Sequence, residues 1–277
     1  MWYKWKNIKV NYEIVGEGKP ILMIHGYTPD HRLMMGCMEP IFDAMSNYKR
    51  VYIDLPGMGR TEGSDQIKNS DDMLEVVRSF VNEIIGSESF LVAGESYGGY
   101  LTRGLIHEMP DQIEGALFIC AMIKPHDRVV PHREIILKNP ELLARLSDQK
   151  REMYESIAVV QDERTWEHFK TYVMPGLLKA DEVFLERLRA DGYGFTFDDA
   201  LASDVFEKPV LFLNGKQDTS VGYKDAWGIL DLYPRGTYVA LDRAGHSLEA
   251  EQSVLFNALV KEWLFRCEEA NDERTSS

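Results

Sequence analysis

Short apolar runs punctuate the chain. Pro20-Ile21-Leu22-Met23-Ile24, Phe90-Leu91-Val92-Ala93 and Pro209-Val210-Leu211-Phe212-Leu213 are uninterrupted and bounded by polar residues or glycine. That is the pattern of strands buried on both faces. Further strand-like segments near residues 3–7, 9–15, 50–54, 115–120 and 236–241 bring the total to eight. Helical spacing fills the gaps near 32–46, 70–86, 97–109, 222–232 and 249–266. In the third of these, Tyr97, Tyr100, Leu101, Gly104 and Leu105 share one face. Alternation of this kind predicts an α/β fold, a mostly parallel eight-stranded sheet with helices on both faces. The first two strands are joined by a short turn, so they pair antiparallel at one edge.

One interval breaks the rhythm. From about Lys124 to Ser203 no strand pattern occurs, while helical runs follow one another at Glu134–Leu146, Asp148–Val159, Glu163–Val173 and Asp181–Arg189. An insertion of this kind after strand six reads as a helical cap over the open end of the sheet. The division is a discontinuous core over 1–123 and 204–266, a cap over 124–203, and a polar, aperiodic stretch over 267–277 read as a flexible tail. No internal repeat or low-complexity linker separates them.

The buried strands place candidate chemistry at their C-terminal ends, where sites of open α/β sheets gather. Gly94-Glu95-Ser96-Tyr97-Gly98 is a Gly-x-Ser-x-Gly sequence between a strand and a helix. A serine on so tight a turn projects its hydroxyl above the sheet edge, with glycines where a Cβ would collide. A serine hydroxyl is a weak nucleophile and needs a base and an orienting acid. His246, in Ala244-Gly245-His246 after a strand, is the leading base, and Asp218, after Asn214-Gly215, the leading acid.

The other histidines fit less well. His107 and His168 fall inside helices, His25 and His31 precede the serine, and His126 and His132 flank a loop at a spacing that matches no metal site. Asp242 lies too close to His246 in sequence, and Asp204 is a second competitor for the acid. Acyl transfer also calls for backbone donors facing the developing oxyanion. The N–H groups of Tyr27, after the strand ending at Ile24, and of Tyr97, at the helix start, are the candidates. Gly26, Met34 and Glu95 are read as substrate-pocket residues, Glu95 at the pocket floor. The phenols of Tyr27 and Tyr97 stand beside the same centre as further substrate contacts.

Ile24-His25-Gly26, Asp54-Leu55-Pro56-Gly57-Met58-Gly59-Arg60, Gly94-Glu95-Ser96-Tyr97-Gly98-Gly99, Asn214-Gly215-Lys216-Gln217-Asp218 and Ala244-Gly245-His246 stand in this order from about residue 20 to about 265. Together they resemble the motif set of the α/β-hydrolase fold family, and within it the capped, carboxylesterase-like serine hydrolases. The resemblance implies Ser96 as nucleophile, His246 as base and Asp218 as its orienting acid. It gives Asp54–Arg60 no chemistry, so Asp54 reads as structural. A serine rather than an aspartate at position 96 argues against epoxide hydrolases and dehalogenases. One such scaffold also hosts peptidases, carbon–carbon hydrolases and receptors.

Composition narrows the field further. The 277 residues carry 31 basic and 45 acidic side chains, a formal charge of −14, which disfavours nucleic acid and anionic membranes as partners. No apolar stretch approaches a membrane span. The N-terminal Met1-Trp2-Tyr3-Lys4-Trp5-Lys6 lacks the features of a secretory signal, so a cytoplasmic location is the expectation. Cys37, Cys120 and Cys267 are an odd, widely spaced set that predicts neither a disulfide framework nor a zinc site. The reading is a serine hydrolase of a small to medium, largely apolar carboxylic ester, with a small-molecule substrate and no cofactor, and with monomer and homodimer both open. Its rivals are an amide or aminopeptidase-like hydrolase drawing on Glu163, Glu167, Asp181, Glu182 or Glu186, a carbon–carbon hydrolase anchored by Arg128 or Arg133, and a slow-turnover ligand receptor.

Overall fold

A computed structural model describes residues 1–43, 45 and 47–275. Its eight strands are β1 (Trp2–Trp5), β2 (Ile8–Val15), β3 (Lys19–Ile24), β4 (Tyr48–Ile53), β5 (Phe90–Glu95), β6 (Ile113–Ile119), β7 (Val210–Gly215) and β8 (Gly236–Leu241). They form one sheet in the order β1-β2-β4-β3-β5-β6-β7-β8. β1 pairs antiparallel with β2, and β2 antiparallel with β4, while every pairing from β4 to β8 is parallel. β3, β5 and β7 are buried almost throughout, as both faces of a parallel sheet require.

Helices α1 (His31–Phe42), α2 (Ser70–Ile84) and α3 (Tyr97–Glu108) connect the early strands. α2 starts where the Asn69 side chain accepts the Asp72 N–H, and Asp71 and Asp72 sit at the positive end of its dipole. Its inward face, Met73, Leu74, Val76, Val77, Phe80 and Val81, is buried against the sheet. Each such side chain contributes roughly 1.5–3 kcal/mol on burial.

The interval between β6 and β7 holds α4 (Pro140–Arg145), α5 (Asp148–Ile157), α6 (Glu163–His168), a π-helical turn at Phe169–Val173, α7 (Met174–Leu177) and α8 (Glu182–Asp191). The helical run expected from Glu134 begins six residues later. Proline fits the first turn of a helix and not its interior, and the Asn139 side chain caps the Leu142 N–H there. After β7, Gly228 ends α9 (Lys224–Trp227), and a separate 3₁₀ turn follows at Leu230–Leu232, so the single helix expected over 222–232 is broken.

α10 (Leu248–Glu251) and α11 (Ser253–Thr275) close the chain. The stretch read as a tail from Cys267 is thus helical as far as Thr275. Cys267 and Ala270 are buried, which gives the last turns an apolar face to dock. No helix among the described residues is long and apolar enough to cross a membrane.

Candidate active site

Ser96 follows β5 and opens α3. Its backbone takes φ 52° and ψ −114°, a left-handed conformation that costs a non-glycine residue roughly 1–3 kcal/mol. The surroundings enforce it. The Ser96 N–H bonds to the Ile119 carbonyl at 2.9 Å, and the Ser96 carbonyl accepts from Gly99, Tyr100 and Met122. A Cβ on Gly94 would fall within 3.0 Å of the Gly98 carbonyl, and one on Gly98 within 3.0 Å of the Ile24 carbonyl. The turn therefore packs backbone against backbone, and its Ser96 side chain is pushed up and out of the sheet.

Ser96, His246 and Asp218 come together from the ends of β5, β8 and β7. His246 Nε2 lies 3.0 Å from Ser96 Oγ, and His246 Nδ1 lies 2.8 Å from Asp218 Oδ2. Asp218 Oδ1 accepts the Ser220 and Val221 N–H groups at 2.8 and 3.1 Å, so the carboxylate is satisfied while fully buried. Burial disfavours an imidazolium at His246, but the negative charges of Asp218, Glu95 and Glu249 outweigh it and raise its pKa. Ser96 is 9% exposed, so it is nearly closed off from solvent.

The competing groups have other partners. Asp204 pairs with His107 at 2.7 Å, and Asp242 is exposed, with its backbone carbonyl accepting from Gln217. His25 is buried, receives the Leu55 N–H on Nε2 and therefore donates from Nδ1 to the Gly26 carbonyl. His31 leans on Asp54. Asp54, His31 and Asp30, and likewise Cys120, Asp218 and His246, are close enough to surround a metal ion. In the first set the Asp54 oxygens already accept from Asn11, His31 and Arg60. In the second, His246 and Asp218 are engaged with each other, and burial raises the Cys120 thiol's pKa well above its usual value.

Gly26 stands against Ser96. A Cβ there would come to 3.0 Å from Ser96 Cβ and nearer still to Glu95 Oε2. This contact, with that of Gly98 on the Ile24 and His25 carbonyls, packs the loop after β3 against the start of α3. Glu95 is buried at 3% exposure with Oε1 3.3 Å from His246 Nε2. Met34, in contrast, is fully buried on α1 within the apolar core.

The phenols of Tyr27 and Tyr97 are not free to meet a substrate as expected. Tyr97 Oη bonds to Ser70 Oγ at 2.8 Å, and Tyr27 Oη donates to the Leu185 carbonyl on α8 at 2.5 Å. Their rings pack edge to face at 5.2 Å, and Tyr193 stacks on Tyr97 at 5.3 Å. Arg189 lies 4.9 Å over the Tyr27 ring. Arg128 donates to the Lys124, Pro125 and Ser220 carbonyls, and Arg133 to those of Glu155 and Ala158.

Two acidic residues near the histidine had no signal in the sequence, because their partners are remote or belong to the backbone. Glu251 Oε2 accepts the Gly245 N–H at 2.6 Å, and Oε1 accepts those of Val159 and Val160 at 2.6 and 3.1 Å. Glu249 is buried, with Oε2 lacking a partner, and its carboxyl is pushed up to about 8, first by burial and then by Glu95.

Comparison with known proteins places these features in a family. A sequence profile described as the Alpha/beta hydrolase family matches residues 21–259. The crystal structure of an alpha/beta superfamily hydrolase from Oenococcus oeni superposes with a TM-score of 0.88 at 28% identity, covering 97% of this chain and 99% of that one. A 2-hydroxy-6-oxononadienedioate/2-hydroxy-6-oxononatrienedioate hydrolase of Paraburkholderia phymatum is 22% identical over 268 residues, 93% of this chain and 91% of its own. A pimeloyl-[acyl-carrier protein] methyl ester esterase of Shewanella woodyi is 23% identical over 112 residues, which span 40% of each chain. With the profile covering most of its length, the chain belongs to the alpha/beta hydrolase family.

Proposed function

We propose that the chain is a serine hydrolase that cleaves a small to medium, largely apolar carboxylic ester through an acyl-enzyme. The observation that carries this reading is the hydrogen-bonded line from Asp218 through His246 to Ser96. His246 takes the Ser96 proton from Oγ as that oxygen attacks the ester carbonyl carbon. Asp218 holds Nδ1–H and stabilises the imidazolium that forms. The Tyr27 and Tyr97 N–H groups receive the oxyanion, aided by the positive end of α3. The imidazolium returns its proton to the departing alkoxide, and water then repeats the sequence on the acyl-enzyme. In this reading the helices of 124–203 cap the centre, joined to the core by the Tyr27–Leu185 hydrogen bond and by Tyr193 stacked on Tyr97.

Three of the five acids considered for an aminopeptidase have structural partners. Glu163 pairs with Arg145, Glu167 with Lys170, and Asp181 caps α8. Arg128 and Arg133, the candidate anchors for an anionic carbon–carbon hydrolase substrate, are likewise committed to carbonyls. Both observations favour the ester.

Turnover of p-nitrophenyl esters from acetate to decanoate, with Ser96→Ala as control, tests the reading. Rapid multiple turnover that vanishes in Ser96→Ala supports it, and the preferred chain length sizes the pocket. A stoichiometric burst without turnover favours a slow receptor. Activity that survives in Ser96→Ala removes the mechanism.

A further inference from the structure

The hydrolysis outlined above leaves one ionisable side chain beside the nucleophile without a task. Glu95 is the last residue of β5, and its carboxyl turns inward beneath His246. Oε1 lies 3.3 Å from His246 Nε2, the same nitrogen that faces Ser96 Oγ at 3.0 Å. Oε2 rests on the bare Cα of Gly26, so the carboxyl is wedged between the imidazole and the His25–Tyr27 loop. One imidazole is thus flanked by two carboxyls, Asp218 at Nδ1 and Glu95 at Nε2.

We propose that Glu95 is a positioning residue for His246, whose carboxylate, at ion-pair distance from Nε2, stabilises the imidazolium by its charge during acyl transfer. The inference rests on the serine-hydrolase reading. When Ser96 Oγ bonds to the carbonyl carbon, its proton passes to Nε2 and the carbonyl electron pair moves to oxygen. The new Nε2–H faces the reacting oxygens, while Glu95 Oε1 stands 3.3 Å from the same nitrogen as a counter-charge. Glu95 steadies the cation until the carbon–oxygen bond breaks, when the proton passes to the leaving oxygen and Glu95 is left unchanged. A neighbouring negative charge favours the imidazolium more strongly in a buried site of low dielectric than it would in water.

The surroundings put a limit on this charge. Burial pushes the Glu95 carboxyl upward, the His246 imidazolium pulls it down, and Asp218 pushes it up again. Glu249 on α10, Tyr193 beyond α8 and Cys37 on α1 are near enough to interact electrostatically with Glu95. Glu251 is held by three backbone N–H groups one layer further out. A carboxylate at Glu95 favours the protonated imidazole, so it moves the pH at which His246 becomes a free base upward.

Glu95→Gln keeps the shape and the Gly26 contact and removes the charge. The rate at which a fluorophosphonate phosphonylates Ser96, with loss of fluoride, reports nucleophile activation without requiring the natural substrate. In Glu95→Gln the acid limb of that rate moves down by about one pH unit, and the plateau falls roughly tenfold. The His246 imidazole proton resonances titrate at lower pH in step. Glu95→Asp, which retains the charge, brings the limb back toward the wild-type position.

A limb and a His246 titration that stay put in Glu95→Gln overturn the proposal, and so does a uniform loss of rate at every pH. If the wild-type Ser96 does not react with the fluorophosphonate at all, the serine-hydrolase reading fails. The His246 titration still decides whether Glu95 acts on the imidazole.

Discussion

Glu251 and Gly245 are joined by a 2.6 Å hydrogen bond from the Gly245 N–H to Oε2, and the other oxygen of the same carboxylate holds Val159 and Val160. One buried side chain therefore clamps the loop that carries His246 to the segment that follows α5. Glu251→Ala strands three buried donors. It is expected to lower stability by about 3 kcal/mol, given what an unsatisfied buried group costs. It is also expected to cut kcat more than KM, because the imidazole loses its fixed approach to Ser96. Urea unfolding and steady-state kinetics on one preparation check both effects. Intact stability would show that the clamp is ornamental.

Asp54 gathers the turn after β4. It accepts from Asn11 Nδ2 at 2.8 Å, Arg60 N–H at 2.9 Å and both the backbone and ring of His31, the ring at 2.7 Å. Burial pushes its carboxyl up, but the His31 ring overcomes this and holds it well below the usual carboxylate range. His31 responds in the opposite sense, raised by Asp54 against the opposing effect of its own burial.

Asp54 therefore contributes stability that is present above about pH 4 and is lost as pH falls through its depressed folded value. His31 contributes stability that is fully present below about pH 6.5 and is lost as pH rises through its raised value. The pair helps most between those limits. Denaturation from pH 3 to 9 should show this window in the wild type and a flatter profile in Asp54→Asn.

Tyr27→Phe deletes the bond to the Leu185 carbonyl and leaves the aromatic packing in place. The expected cost is about 1 kcal/mol, concentrated where α8 meets the core. Limited proteolysis should cut faster within residues 124–203, and ester KM should rise with kcat nearly constant. Unchanged cleavage would mean that the phenol does not hold α8 down.

Gly26→Ala places a methyl group where Glu95 Oε2 and Ser96 Cβ already stand. Displacement of the loop by about 1 Å is enough to cost on the order of a hundredfold in rate. Stability should change far less, since the site lies at the sheet rim. A kinetic and thermal comparison with the wild type would expose a mistaken placement if activity persisted.

The central strands were legible because parallel strands covered on both faces are apolar throughout and stand out as runs, as β3, β5 and β7 do. The serine elbow and the two loops bearing Asp218 and His246 were legible for a related reason, whereas the structural reading of Asp54 came from the family resemblance. Each is a local sequence at a strand end, with glycines where the backbone must pass closely.

What escaped was either nonlocal or a question of termination. Periodicity alone carries a helix back to Glu134, whereas Pro140 and the Asn139 cap decide where it starts. Charge-rich Cys267–Thr275 looks like a tail until the sites for Cys267 and Ala270 are formed by the rest of the fold. The Glu251 clamp joins residues 92 apart in the chain, and no spacing rule could announce it. The Tyr27 and Tyr97 phenols were misplaced for the same reason, since Leu185 and Ser70 reach them from distant segments.

β6 and β7 are direct neighbours, with Ala116 opposite Val210 and Ile119 opposite Leu213, although the whole stretch from 124 to 203 lies between them in sequence. The two ends of that excursion therefore leave and re-enter the sheet side by side. Closing a longer or shorter loop at such a doorway changes the chain entropy only slowly with length. The excursion can be traded for one of different size and lining while the pairing of every strand is kept. An insertion or deletion within 124–203 is therefore expected to leave the strand order of the sheet intact.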